Sequence, residues 1–275
     1  MTNKYMMNYL TIDVEEWYQT VLLSGESKAF ENTSLVENIE SILFLLDKYN
    51  TKATFFIVGN LAEKYPETIR QIAKKGHEIA SHGYSHRLVY KMSPEEFKND
   101  VEKSLRILRK ITNRDVDGFR ASTWSINRNS PWAFDILESL GLKYDSSVYP
   151  FSLNLFNCLK LKTAPHEVGK NLYEFPPAVF NFMGWNFPFA GGTFMRLCPA
   201  QFIVQKVRQI NASGNPAVIY FHSWEMNNKN FREPWVPKWK YFLQYANAGS
   251  VKYKIELLLR HFKFMPIIKS MQDFK

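Results

Sequence analysis

Two cysteines, Cys158 and Cys198, are all the thiols in the chain, and neither forms a CxxC pair or stands at ligand spacing from a histidine. A disulfide-stapled scaffold is excluded at this size. Buried free thiols are expected instead, as in a reducing compartment. Long apolar runs are also lacking. Stretches such as Ile42–Leu46 and Ala217–Phe221 fall far short of the ~20 residues of a membrane span. Met1 to Thr11 holds no continuous apolar region of the ~7–15 residues that a secretory signal needs. These features lead to the expectation of a cytoplasmic protein, with association at a membrane surface left open. No internal repeat, low-complexity tract or long basic block is present.

What the chain does have is a globular composition: 275 residues, 45% hydrophobic, 16% aromatic and 22% charged. That excludes a mostly disordered chain and allows a sizeable core. Lys plus Arg outnumber Asp plus Glu by 35 to 26, a net charge of +9. A basic balance suits anionic partners such as phosphorylated lipid or an anionic surface. Because the lysines are scattered, general solubility explains most of the charge and no nucleic-acid partner is expected.

Short β runs alternate with amphipathic runs. Tyr9–Ile12, Ala53–Val58, His77–Ser81, Val116–Ala121, Lys143–Val148, Leu172–Phe175 and Ala217–Phe221 read as about seven strands. Between them, Val36 to Leu46, Glu67 to Lys75, Phe97 to Leu108, Phe134 to Leu140 and Pro199 to Ile210 carry helical spacing. Ser93-Pro94-Glu95-Glu96 has the form of a capping box with proline in the first turn. Alternation of this kind predicts parallel strands with helices outside, in an α/β fold whose chemistry sits at the C-terminal strand ends. The loop from Ser24 to Ser34 is polar, Pro176 to Gly192 reads as a long loop over the site, and Val251 to Phe264 reads as a final helix. One domain is expected over 1–275, with 227–275 as a C-terminal cover.

Four strand ends carry reactive side chains. His82 and His86, in His82-Gly83-Tyr84-Ser85-His86, follow one strand at a spacing that lets both reach one ion. Asp13-Val14-Glu15-Glu16 crowds three carboxylates at the end of the first strand, which is tolerable beside a cation. Arg120 ends an apolar strand, where a charge calls for a buried carboxylate. His222 ends Val218-Ile219-Tyr220-Phe221-His222, a place for a general acid. Trp17, Tyr18, Trp124, Tyr149, Trp185 and Trp224 lie in or near these segments and offer faces for sugar rings, or simply core packing.

Thr11-Ile12-Asp13, Ala53-Thr54-Phe55-Phe56, Gly76 through His86, Phe119-Arg120-Ala121-Ser122, Tyr144-Asp145-Ser146-Ser147 and Tyr220-Phe221-His222, in that order, resemble the successive motifs of the polysaccharide deacetylases, the NodB-homology carbohydrate esterases. The Asp13–Trp17 start and the segment Gly191–Arg196 look like the subgroup found with bacterial exopolysaccharide and surface-glycan loci. The resemblance implies a distorted (β/α) barrel, one divalent metal with zinc expected, and hydrolysis of N-acetyl groups on the amino sugars of a glycan or its precursor, which could be lipid-linked. It implies His82 and His86 as metal ligands, Asp13 as general base, Arg120 as the residue holding Asp13, His222 as general acid and Asp145 as the residue orienting His222. The family start is usually two adjacent aspartates, but Val14 follows Asp13 here. Glu15 is then the expected third ligand, and Glu16 remains an alternative. Two competing readings stand beside this one: hydrolysis of another amide, such as a cyclic ureide or a formamide, and a carbohydrate-binding protein with an inactive site.

Overall fold

The computed structural model describes residues 6–19, 33–151, 162–226 and 237–272. Cys158, most of the Ser24–Ser34 loop, and 227–236 and 273–275 of the C-terminal segment lie outside the described residues. The strands are β1 (Met7–Val14), β2 (Thr54–Ile57), β3 (Glu78–Ser81), β4 (Gly118–Phe119), β5 (Tyr144–Asp145), β6 (His166–Glu167), β7 (Tyr173–Glu174), β8 (Val179–Phe182), β9 (Trp185–Pro188), β10 (Val218–His222) and β11 (Lys263–Met265). The helices are α1 (Leu35–Lys48), α2 (Gly59–Lys64), α3 (Pro66–Lys74), α4 (Pro94–Thr112), α5 (Trp132–Ser139), α6 (Gly192–Leu197), α7 (Ala200–Ala212), α8 (Lys238–Tyr245) and α9 (Val251–His261).

Among the described residues, the main sheet runs β10-β1-β2-β3-β4-β5-β7-β6, with β11 joined to the start of β1. Every pairing in it is parallel except β6 with β7. The sheet has helices around it, as the alternating pattern predicts, and curls into a half-barrel, in line with the barrel that the resemblance implies. Single backbone bonds cross the gap between its ends: Ala178 N–H to the Val218 carbonyl at 3.0 Å and Tyr220 N–H to the Ala190 carbonyl at 3.0 Å.

Strand alternation sorts the core into two layers. Leu10, Ile12, Val14, Phe55, Ile57, Ile219 and Phe221 point outward and pack with the apolar faces of α1, α4 and their neighbours. Tyr9, Phe56, Ala80, Tyr144, Phe175 and Val218 point inward and fill the barrel. The same alternation carries the inward side of β1 on to Asp13, and that of β10 to His222. These two residues are paired in register.

Most elements fall within a few residues of the sequence expectation. The Ser93 capping box is present, with Glu96 N–H to Ser93 Oγ at 3.1 Å and Ser93 N–H to Glu96 Oε2 at 2.8 Å. Two expectations need correction. The segment after Pro177 is not a plain loop: it folds into the antiparallel hairpin β8–β9, turned by Met183 and Gly184 at φ 51° and 85°. The last helix stops at His261, because Lys263–Met265 extends to pair with β1.

Candidate metal centre and active site

Glu15 stands two residues beyond Asp13, so the strand period places both carboxylates on the inner side and sends Val14, fully buried, into the outer core. The Glu15 backbone is fixed by Ser223: Glu15 N–H donates to Ser223 Oγ at 3.2 Å, and that hydroxyl donates to the Glu15 carbonyl at 2.7 Å. Its carboxylate lies 2.9 Å from His86 Nε2 and 4.0 Å from His82 Nε2, while Trp224 Nε1 donates to its other oxygen at 3.1 Å. Burial would push the Glu15 carboxyl up, but His222, His86 and His82 together bring it below its ordinary value. Glu16 turns away and accepts from the Thr33 hydroxyl instead.

His82 and His86 sit on the loop after β3. The Arg120 carbonyl lies 2.7 Å from His82 Nδ1 and so takes the proton of that nitrogen, leaving Nε2 as a lone-pair donor toward the site. Burial, reinforced by the charge of His86, lowers the His82 pKa to about 3, so the ring is neutral. His86 takes a left-handed backbone, φ 58°, and Gly83 precedes it at φ 71°. Asp100 on α4 holds this turn by accepting from Tyr84 N–H at 2.7 Å and Ser85 N–H at 3.1 Å.

Glu15, His82 and His86 each offer one ligand atom, all within 4.8 Å of one another. His86 Nε2 is buried and, with the Glu15 carboxylate 2.9 Å away, forms no well-directed hydrogen bond. Two imidazole nitrogens and a carboxylate, one nitrogen unsatisfied, are a donor set that fits a divalent cation with open positions. The carboxylate of this donor set comes from Glu15, the residue after Val14.

Arg120 crosses beneath the site, fully buried. Its Nη1 donates to Asp13 Oδ1 at 2.6 Å and to Thr11 Oγ1 at 3.0 Å, and its Nη2 donates to Ser146 Oγ at 2.8 Å. Its guanidinium carbon lies 4.1 Å from the centroid of the Phe56 ring. These contacts leave Asp13 one geometry.

His222 faces Asp13 across the strand pair, with Nε2 3.8 Å from Glu15 Oε1. The expected orienting residue, Asp145, is not beside it. Asp145 is turned to Ser147, whose N–H donates at 3.2 Å, and is hydrogen-bonded to Glu174. Burial raises both of these carboxyls. Glu225 takes the place at His222, its Oε2 3.0 Å from Nδ1 and accepting the His222 backbone N–H at 2.8 Å. Arg196 on α6 pairs with Glu225 in turn and is held to Thr193 Oγ1 at 2.9 Å. Burial opposes charge on His222, but Glu15, Glu225 and Asp13 outweigh it and raise the ring to about 9. Trp224 stacks on His222 with centroids 5.6 Å apart and planes 12° apart.

These side chains open onto a cavity of about 260 Å³, which also receives Trp124, Tyr149, Phe194 and Gln244. Trp124 reaches it from a strained turn, Thr123 and Trp124 having φ 54° and 49°. Of the other aromatics singled out in the sequence, Trp17 is buried and Trp185 stands exposed on the hairpin. Glu225, Arg196 and Asp100 were missed. Glu225 had one signal, being an isolated acid three residues after His222.

A parallel α/β half-barrel with its polar centre at the C-terminal strand ends is the frame of many hydrolytic enzymes, and fold alone does not choose among them. Residues 27–144 match the model of the polysaccharide deacetylase family. Residues 146–272 match a domain of unknown function, DUF3473. A peptidoglycan-N-acetylglucosamine deacetylase of Bacillus cereus is 38% identical over 82 residues, 30% of this chain and 30% of that one. A peptidoglycan deacetylase of Helicobacter pylori is 30% identical over 110 residues, 40% of this chain and 36% of that one. The match thus spans about a third of these relatives' length. A crystal structure of a Mycobacterium smegmatis protein described as a polysaccharide deacetylase covers 99% of this chain and 91% of its own, with TM-score 0.66 and 19% identity, which shows the shared fold. No helix among the described residues is long and apolar enough to cross a membrane.

Proposed function

We propose that the chain is a metal-dependent N-deacetylase acting on the amino sugars of a bacterial glycan or glycan precursor, with residues 1–275 working as one unit. The observation that carries this reading is the meeting of Glu15, His82 and His86 within 4.8 Å, between Asp13 on one side and His222 on the other. The relatives' deacetylase activity supports the choice of reaction, and the aromatic cavity wall suits a sugar ring.

In this reading Glu15, His82 and His86 hold one divalent ion, zinc by the preference of two imidazoles and a carboxylate. That ion supplies a Lewis acid for the amide carbonyl and lowers the pKa of the attacking water. Asp13, locked by Arg120, accepts the proton of that water. His222, oriented by Glu225 and favoured as a cation by Glu15, Glu225 and Asp13, protonates the amine as the carbon–nitrogen bond breaks, since an amine leaves poorly as its anion. Glu225 rather than Asp145 is the residue that orients His222.

The test is acetate release from N-acetylglucosamine oligomers by the zinc-loaded chain, beside bound-metal analysis. The double variant His82→Ala/His86→Ala should lose both the ion and turnover; full metal occupancy in it would defeat the ligand assignment. Asp13→Asn should keep the ion and lose activity by ~10²–10⁴-fold, the scale of general acid–base catalysis. Hydrolysis of a cyclic ureide or a formamide with none of the N-acetyl substrates would replace the substrate class while leaving the metal centre in place.

A further inference from the structure

We infer that the tip of the β8–β9 hairpin is a docking element for an anionic lipid bilayer. Between Glu174 and Glu225 the chain has no acidic residue, while Lys206 and Arg208 are cationic and Arg196 is buried in its pair with Glu225. The hairpin register pairs Phe180 with Phe187 and Phe182 with Trp185, so one face carries four aromatic rings. The opposite face carries Asn181 and Asn186, whose side chains bond each other at 3.1 Å.

The inner pair is anchored. Phe180 and Phe187 stack at 5.6 Å, and Phe180 meets Phe202 of α7 edge-on at 5.2 Å. The outer part is not covered: Phe182 is 60% exposed, Met183 83% and Trp185 50%. Water is a poor environment for three large apolar side chains at and beside one two-residue turn, and a bilayer interface is a good one. Lys206 supplies the cation beside this face, its Nζ 4.9 Å from the Phe180 centroid and 5.1 Å from that of Phe202. An aromatic tip with lysine behind it and no nearby acid in the sequence matches the charge and polarity of an anionic headgroup layer. A sugar would need several hydrogen-bonding groups beside the rings, and Phe182 through Trp185 offer only the indole N–H of Trp185. Ring contacts also tie the hairpin to the cavity wall, from Phe187 through Phe151 to Phe194 at 6.5 and 6.1 Å.

Vesicle flotation of the full chain tests this directly. The chain should float with phosphatidylcholine vesicles containing phosphatidylglycerol, and less with phosphatidylcholine alone. Phe182→Ser/Trp185→Ser should lower the bound fraction about ten-fold, given the apolar area withdrawn from the interface. Met183→Ser should lower it in the same direction, and circular dichroism melts should show all three variants folded. Lys206→Gln should narrow the difference between the two vesicle types. The inference fails if the chain does not float, or if the double variant floats as well as the parent. It also fails if the tip instead governs retention on a chitooligosaccharide resin or dimerisation by light scattering without lipid.

Discussion

Glu225 is the residue on which the proposed chemistry turns most sharply. It receives the His222 ring and backbone and the Arg196 guanidinium at once, all of them buried or nearly so. Burial pushes its carboxyl up, but His222 and Arg196 win and hold it at about 2. Glu225→Gln should therefore have two separable effects. His222 loses its Nδ1 partner and one of the anions, beside Glu15 and Asp13, that favour its cationic form, so deacetylation should fall, within the ~10²–10⁴-fold range of lost acid catalysis. Arg196 loses its counter-charge, which for a buried pair costs about 3–5 kcal/mol. The double variant Glu225→Gln/Arg196→Met should regain much of the stability in urea titrations and none of the activity. Recovery of both together would reduce Glu225 to a structural residue. Nothing in the linear sequence links Arg196 to Glu225, whereas Asp13, Glu15 and His222 could be read because each ends a recognisable strand.

At the scale of elements, the proposed metal centre is a joint product of one strand and one loop. β1 places Glu15 by simple alternation. The loop after β3 places His86 only by adopting left-handed backbone at Gly83 and His86, with Asp100 of α4 gripping the turn. A Cβ at Gly83 would stand 3.0 Å from Asp100 Oδ2. Gly83→Ala should thus cost roughly 1–2 kcal/mol for the dihedral alone and also loosen the turn that carries His86. Gly141 makes a clean control, since its φ is also positive, 78°, but a Cβ there meets nothing within 4 Å. Gly141→Ala should lower stability and leave zinc affinity untouched, while Gly83→Ala should lower both. Equal zinc affinity in the two variants, by competition with a chromophoric chelator, would show that the turn does not set the site. The histidine pair was legible as HxxxH. Asp100 was not, because a mid-helix aspartate looks like any solvated charge until the fold brings the loop over it. The hairpin escaped notice for a related reason: its turn is Met183-Gly184, without the Asn-Gly or Asp-Gly that marks most two-residue hairpins.

For the whole molecule, the α/β class was legible because β runs alternate with helical runs, and the barrel through the family resemblance; the inward and outward alternation along β1, β2 and β10 shows in the structure. The same inward alternation commits polar groups to the barrel interior away from the site. Glu78, at the start of β3, is one. Its carboxylate accepts from Thr54 Oγ1 at 2.6 Å, Tyr144 Oη at 2.6 Å and Ile268 N–H at 3.1 Å. Burial outweighs those bonds and raises it from 4.5 to about 7. Between those two values the folded chain keeps a proton on Glu78 that the unfolded chain releases. Folding stability should therefore fall as pH rises through this window, with a slope of at most about 1.4 kcal/mol per pH unit from this group, and level off above it. Asp145 and Glu174, also raised by burial, add to the fall in the same direction. The comparison of parent with Glu78→Gln isolates the first contribution, because the amide keeps donor and acceptor atoms for the same partners and cannot ionise. Urea unfolding at pH 5 and at pH 8 should show the variant gaining on the parent at the higher pH, with little difference at the lower. A constant gap between the two proteins across that range would mean that Glu78 is ionised throughout and that its three hydrogen bonds outweigh its burial.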